Sequence, residues 1–301
     1  MGITITNSGQ GSVVRFRNLG RGGVMTSIKN PPFLLLNYYP GSAGAYSLRK
    51  LDYTYTGSAI RVRRSSDNAE QNIGFVNNQL DTASLLAFCG AGNGFVTTWY
   101  DQSGNARNTV QATTANQPII VLSGSIYNIN SKPAILFNGS STELRTATIA
   151  SWLTATPYTF ILVDSVNTIK SDNYFCGTAG TSGLIDRAVI AGYRSSSQVT
   201  LAQYNDDANF SFTQVQQQKL HNIYFKFPNS EYFINNTSLG TQTNPVNGAN
   251  ITDGGFQIGR AYGEGALNYN GYLQEVITYA SNQLTNRTGI NSNINSYYSI
   301  Y

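Results

Sequence analysis

The sequence predicts an all-β fold, a sandwich or barrel of short antiparallel strands with one or two short helices. Three observations carry this. Charged residues are 11% of the chain, against about 25% in a typical soluble domain, so the exposed faces of a helical bundle could not be built. Aromatics reach 12%, dominated by 20 Tyr and 14 Phe, a composition that favours strands and is the opposite of a disordered chain. Short apolar or alternating runs recur between Gly, Asn, Ser and Pro throughout, which is the spacing of sandwiches and barrels. The 301 residues are enough for one all-β domain with a large core.

Residues 1–45 are Gly-rich and punctuated by Pro31, Pro32, Pro40 and Gly41. They read as an arm with two short strands, Ile3–Thr6 and Val13–Arg17, that docks on a neighbour and drives oligomerisation. The domain proper is expected at 46–301. There Ala59–Arg63 alternates as a strand with one wet face. Leu80–Phe88 has helical spacing, with Asp81 as N-cap and Gly90 as stop. Phe95–Tyr100 is a strand, and Asp101-Gln102-Ser103-Gly104-Asn105 is a turn. Further strands are expected at Ile119–Leu122, Ala134–Phe137, Tyr158–Asp164, Ala188–Tyr193, Val199–Tyr204, Asn222–Phe227, Glu231–Ile234, Phe256–Ile258 and Gly271–Tyr279. Leu284–Tyr298 reads as a closing helix.

Charge and rare residues restrict the function. Residues 1–64 hold nine basic side chains against one acid, Asp52, and the remainder is net acidic. That asymmetry suits docking of the leading segment on an acidic surface. The basic residues are dispersed and no nucleic-acid-binding signature is present, so nucleic acid is not an expected partner. The single His, His221, excludes sites that need several imidazoles, and its setting reads as a strand entry. Cys89 and Cys176 are too few for a disulfide framework or a thiolate metal cage, and they read as small buried hydrophobes. No cofactor motif is present and no metal site is expected. Calcium is the one ion the pattern admits, through Asp206-Asp207 or Asp253, although the spacing matches no EF-hand loop. No apolar run approaches a membrane span. The start MGITITNSGQ has no signal-peptide core, so export by the general secretory route is not expected.

Two stretches resemble known families. Residues 45–118 carry AYSLRKLDYTYTGSAIRVRRSSDNAEQNIGF, then LDTASLLAF, then GFVTTWYDQSGNARNTVQATTANQP. They resemble the start of the catalytic domain of the arabinofuranosidase B family, in which a Val-Arg-Arg-x-Ser-Asp segment leads to a Tyr-Asp-Gln-Ser-Gly-Asn turn. The later PAILFNG and FQIGRAYGEGALNYNGYLQEVITYASNQLTNRTGINSNINSYYSIY are similar to the end of concanavalin A-like (laminin G-like) jelly-roll sandwiches. The resemblance implies a β-sandwich over 46–301. For function it implies either a lectin-like binder or a glycoside hydrolase.

A hydrolase of this kind needs two carboxyl groups about 5–10 Å apart. The family's nucleophilic Glu, at the end of a mid-chain strand, corresponds to the Gln203–Asp207 stretch and so to Asp206. Its acid Asp, in a loop after a late strand, corresponds to the Gly259–Glu264 stretch and so to Glu264. Both carboxyl types are exchanged relative to the family. For a sugar-binding face, the expected contacts are Trp99, Tyr100, Asp101, Arg64 and Tyr262, with Arg61, Arg63 and Arg64 able to pair with Asp67 and Glu70.

Segments such as RVRRSSDNAEQNIGF and WYDQSGN also resemble bacteriophage structural proteins. With the basic arm, the low charge and Met1 without a leader, this gives the leading expectation: a virion component made in the bacterial cytoplasm. It would be a capsid decoration or head-fibre protein or a tail protein, held to other virion proteins through residues 1–45. It would be a homo-oligomer binding carbohydrate through its sandwich. An arabinofuranosidase-like hydrolase using Asp206 and Glu264 is the alternative, and a purely structural module the third reading.

Overall fold

The run Tyr158–Val166 is apolar on both faces, and a strand of that kind must be covered on both sides. In the computed structural model all nine of its residues are buried. The structure describes residues 3–7, 12–16, 34–154, 157–178, 188–203, 206–244, 248–261 and 267–301. The central strand Tyr158–Val166 pairs antiparallel with Gln218–Lys226 on one edge and Asn270–Tyr279 on the other. The latter strand pairs in turn with Ser42–Ser47. Tyr158, Phe160 and Leu162 point into the main core, whereas Ile161 and Val163 point the other way. Those two meet the closing helix Arg287–Tyr298, whose Ile290, Ile294 and Tyr298 form one apolar stripe.

The strands join antiparallel into a continuous sheet that folds over itself, so that the main core lies between two layers. Aromatic rings fill the gap: Tyr46 packs on Trp99 (6.3 Å between centroids) and Phe256 (6.2 Å), and Phe256 stacks on Phe160 (6.3 Å). The fold is therefore the expected all-β sandwich with a few short helices. Among the described residues no helix is long and apolar enough to cross a membrane.

Most expected elements appear with shifted ends. The helix Thr82–Cys89 starts at Asp81, whose Oδ1 accepts the Ser84 N–H at 3.0 Å, and stops at Gly90, where φ is +57°. Ile3–Asn7 and Ser12–Phe16 form a two-stranded antiparallel hairpin; most of the rest of the expected arm lies outside the described residues. The strand Ser42–Ser47, which spans residue 45, pairs with Asn270–Tyr279. Leu144–Ile149 and Asn173–Thr178 are strands that the sequence did not signal. Their polar and small residues (LRTATI, NYFCGT) lack apolar alternation.

A buried ion pair ties the first and last parts of the chain. Arg49 meets Glu275 through two bonds, Nε–Oε2 at 2.7 Å and Nη2–Oε1 at 2.9 Å. Ser47 Oγ donates to the same carboxylate at 2.7 Å, and the guanidinium lies over the Tyr297 and Tyr298 rings. Removing one partner leaves the other charge buried and unpaired. Arg49→Met is therefore expected to lower unfolding free energy by about 3–5 kcal/mol, read by urea denaturation.

Candidate functional site

The Asp101–Asn105 motif holds the chain rather than a ligand. Asp101 Oδ1 accepts the Ala45 N–H (2.8 Å) and the Ser103 N–H (2.9 Å), and Oδ2 accepts Ser103 Oγ (2.8 Å) and the Arg107 N–H (3.0 Å). Gln102 Oε1 accepts the Leu51 N–H at 2.8 Å, and its amide donates to the Ser47 and Arg49 carbonyls, each at 3.0 Å. Asn105 Nδ2 donates to the carbonyls of Ser42 (2.9 Å) and Ala43 (3.2 Å). Gly104 supplies the positive φ of +85° that the turn requires. Short Asp, Gln and Asn side chains here replace a strand partner for residues 42–51.

The expected sugar contacts are placed accordingly. Trp99 is fully buried against Tyr46 and offers no ring face. Asp101 has both oxygens engaged in the turn. Arg64 forms two bonds to Asp67, 2.8 and 2.7 Å, and lies over the Phe88 ring. Arg61 pairs with Glu70 at 2.6 Å, as the sequence suggested. Tyr100 is half-buried and its hydroxyl donates to Asn72 at 2.8 Å. These four residues do not form one binding face, because alternation along the strand sends Trp99 inward and the turn consumes Asp101. Tyr262 lies outside the described residues.

The polar corner around Asp206 is of a different kind. Asp206 is half-buried in the connection from strand Gln198–Ala202 to strand Asp207–Ser211. Its carbonyl accepts the Gln203 N–H at 3.0 Å and the Asn244 amide at 3.4 Å. Gln203 donates to the Tyr158 hydroxyl at 3.0 Å, while its buried Oε1 has no partner among the described residues. Burial pushes the Tyr158 phenol well above its ordinary range. Nearby, Arg194 lies 3.4 Å from Asp207 and 3.7 Å from Asp172 and donates to the Tyr174 hydroxyl at 2.8 Å. Glu264 lies outside the described residues, but both ends of its segment are placed. Ala261 is buried, with Leu267 packed against it, in a small cluster with Tyr174, Ala188, Ile190 and Ala202. Ala202 ends the strand that leads to Asp206.

The sequence missed a buried polar network in the main core. His221 and Asp164 are fully buried and bonded, Nε2 to Oδ1, at 2.8 Å. Tyr269 donates to Asp164 Oδ2 at 2.7 Å and Tyr193 at 3.1 Å, and Tyr232 meets His221 Nδ1 at 3.0 Å. Burial raises all three phenols well above their ordinary value, helped by the Asp164 charge. The signal was present in the alternation of Leu-His-Asn-Ile-Tyr-Phe, which puts His221 on the same face as Ile223 and Phe225. With no exposed atom, this network is internal cross-bracing. Among the described residues no three His, Cys, Asp or Glu side chains converge as a metal donor set.

With this geometry in hand, comparison with known proteins is informative. Residues 38–132 match the family model of the catalytic domain of alpha-L-arabinofuranosidase B. That segment contains the Asp101–Gln102 clamp and every residue it holds from Ala45 onward. The whole fold is similar to an arabinofuranosidase complexed with arabinofuranosyl-alpha-1,2-xylobiose, with a TM-score of 0.69 and 16% identity over 84% of this chain. It is also similar to a GH54 a-l-arabinofuranosidase soaked with a cyclic sulfate inhibitor, with a TM-score of 0.66 and 15% identity over 84% of this chain. The chain spans 62% of the length of each of those structures. At such identity the likeness establishes the fold. No curated protein sequence matches the chain.

These similarities correct the leading sequence expectation. The segments taken as signs of a bacteriophage virion protein, RVRRSSDNAEQNIGF and WYDQSGN, lie inside the stretch that matches the arabinofuranosidase model. In this chain their residues build ion pairs and the internal clamp.

Two outcomes follow. Asp101→Ala removes the acceptor of the buried Ala45 N–H and of the half-buried Ser103 and Arg107 N–H groups, and is expected to cost about 3 kcal/mol, read by urea unfolding. Cys89 and Cys176 are buried and free, and burial raises both thiols above their ordinary value. Neither is expected to react with a thiol reagent at pH 8 until the protein is unfolded.

Proposed function

We propose that the chain is a glycoside hydrolase acting on α-L-arabinofuranosides, with Asp206 as nucleophile and Glu264 as general acid. The observation that carries this reading is the shared anchor of the two carboxylate segments. Ala202, just ahead of Asp206, and Ala261 and Leu267, which bracket the Glu264 segment, belong to one buried cluster. The family match over 38–132 and the common fold support it. The described residues on either side of the Glu264 segment thus lie on the same patch as the strand end before Asp206, and glycoside hydrolysis needs two carboxyl groups held near one another.

In this reading the Asp206 carboxylate attacks the anomeric carbon while Glu264 gives its proton to the departing glycosidic oxygen. Water, deprotonated by Glu264, then hydrolyses the glycosyl ester and restores Asp206. The two roles separate by leaving group. A 4-nitrophenyl glycoside departs without much proton assistance; an oligosaccharide does not. Glu264→Gln is expected to lower kcat on an arabinose-substituted xylo-oligosaccharide by about 10²–10⁴-fold and to spare most of the nitrophenol release. Asp206→Asn is expected to abolish both. Turnover that survives Asp206→Asn, or none in the unaltered chain, would overturn the proposal.

A further inference from the structure

A groove lies away from the Asp206 corner, and amide and hydroxyl side chains dominate its lining. It has a volume of about 440 Å³ and is bordered by Asn128, Asn130, Ser165, Gln216, Gln217 and Lys219, with Ile129 and Ile300 as its apolar members, beside the end of the closing helix. No carboxylate lines it and Lys219 is its one charge. The walls are held by their own amides. Asn130 donates to Gln218 Oε1 at 2.5 Å and to the Ser299 carbonyl at 3.3 Å, and Gln216 donates to the Asn167 carbonyl at 2.5 Å. The buried Gln274 amide donates to the carbonyls of Ile129, Lys132 and Pro133, which fixes the hairpin on one side.

Hydrogen-bonding capacity is left over. Asn128 donates to the Ile126 carbonyl at 2.9 Å, leaving its oxygen available, and Gln217 accepts from Lys219 at 3.2 Å, leaving its NH₂ available. An aromatic surface adjoins the polar one. Tyr272 is the cross-strand neighbour of Ser165, and its ring lies 5.5 Å from that of Tyr127, both half-buried.

Donors and acceptors in a preformed groove beside half-exposed rings match a neutral polyhydroxyl ligand, which presents hydroxyls on its edge and C–H groups on its face. An apolar ligand would leave the amides unpaired, and a polyanion would find a single ammonium. The groove also lies far from the proposed reaction. Gln203 of the Asp206 corner bonds to Tyr158 at the start of the central strand, whereas Ser165 lies near its other end. At about 3.3 Å per residue that separation is roughly 23 Å.

We propose that this groove is a separate binding site for a neutral polysaccharide, which holds a long chain on the sandwich while another part of it reaches the Asp206 corner. The supply of chain to the Asp206 corner rests on the catalytic reading, whereas binding in the groove is read without hydrolysis, so the two can fail separately. The measurement is calorimetric titration of the Asp206→Asn chain with soluble neutral arabinoxylan, with polygalacturonate as the acidic control. Adding Asn128→Ala and Gln217→Ala, both at exposed positions, is expected to weaken arabinoxylan binding about tenfold, the worth of one or two net hydrogen bonds. Gln217→Glu, which adds a charge at the rim, is expected to weaken it without altering the thermal midpoint. Undiminished binding in these variants, absence of binding in the parent, or preference for polygalacturonate would overturn the proposal.

Discussion

The fixing of the strand Ser42–Ser47 is the constraint that joins the clamp to the central sheet, because this strand pairs with Asn270–Tyr279, the neighbour of the central strand. The Asp101–Gln102 pair does this from a different part of the chain. One buried carboxylate and one buried amide take up backbone groups at Ala45, Ser47, Arg49 and Leu51. A buried peptide group without a partner is costly, and an amide with both donor and acceptor can satisfy two at once. The clamp thus fixes the strand Ser42–Ser47, and Arg49 just beyond it reaches Glu275.

A chain with few charges has put several of them inside. Arg49–Glu275 braces the outer face under the closing helix, and Asp164–His221 with its three tyrosines braces the inner core. Each pair is surrounded by hydrogen bonds that meet its remaining valences, the condition under which buried charge is tolerated. At strand ends, by contrast, Asp206, Asp207 and Arg194 are partly open to solvent.

The layout of strands was largely readable because burial leaves either alternation or short apolar runs. Tyr158–Val166, Gln218–Lys226 and Asn270–Tyr279 announce themselves by apolar residues, and Thr82–Cys89 by its Asp81 cap and Gly90 stop. Asn173–Thr178 did not, since a strand buried among Gly, Cys and Thr has no contrast between its faces. The site was less legible. Trp99 and Asp101 resemble sugar contacts by residue type, yet type alone does not say whether a side chain satisfies a ligand or its own backbone. His221 was read by its rarity rather than by its strand face, and its partner Asp164 lies far away in sequence.

The most direct test of the catalytic account is covalent. An arabinofuranose-configured cyclic sulfate is an electrophile that a positioned nucleophilic carboxylate opens, leaving a stable ester. Intact mass followed by peptide mapping reads both the event and the residue. The account predicts one adduct per chain, on the peptide that contains Asp206, and none after Asp206→Asn. An adduct on a different carboxylate, or an unmodified chain, would contradict it.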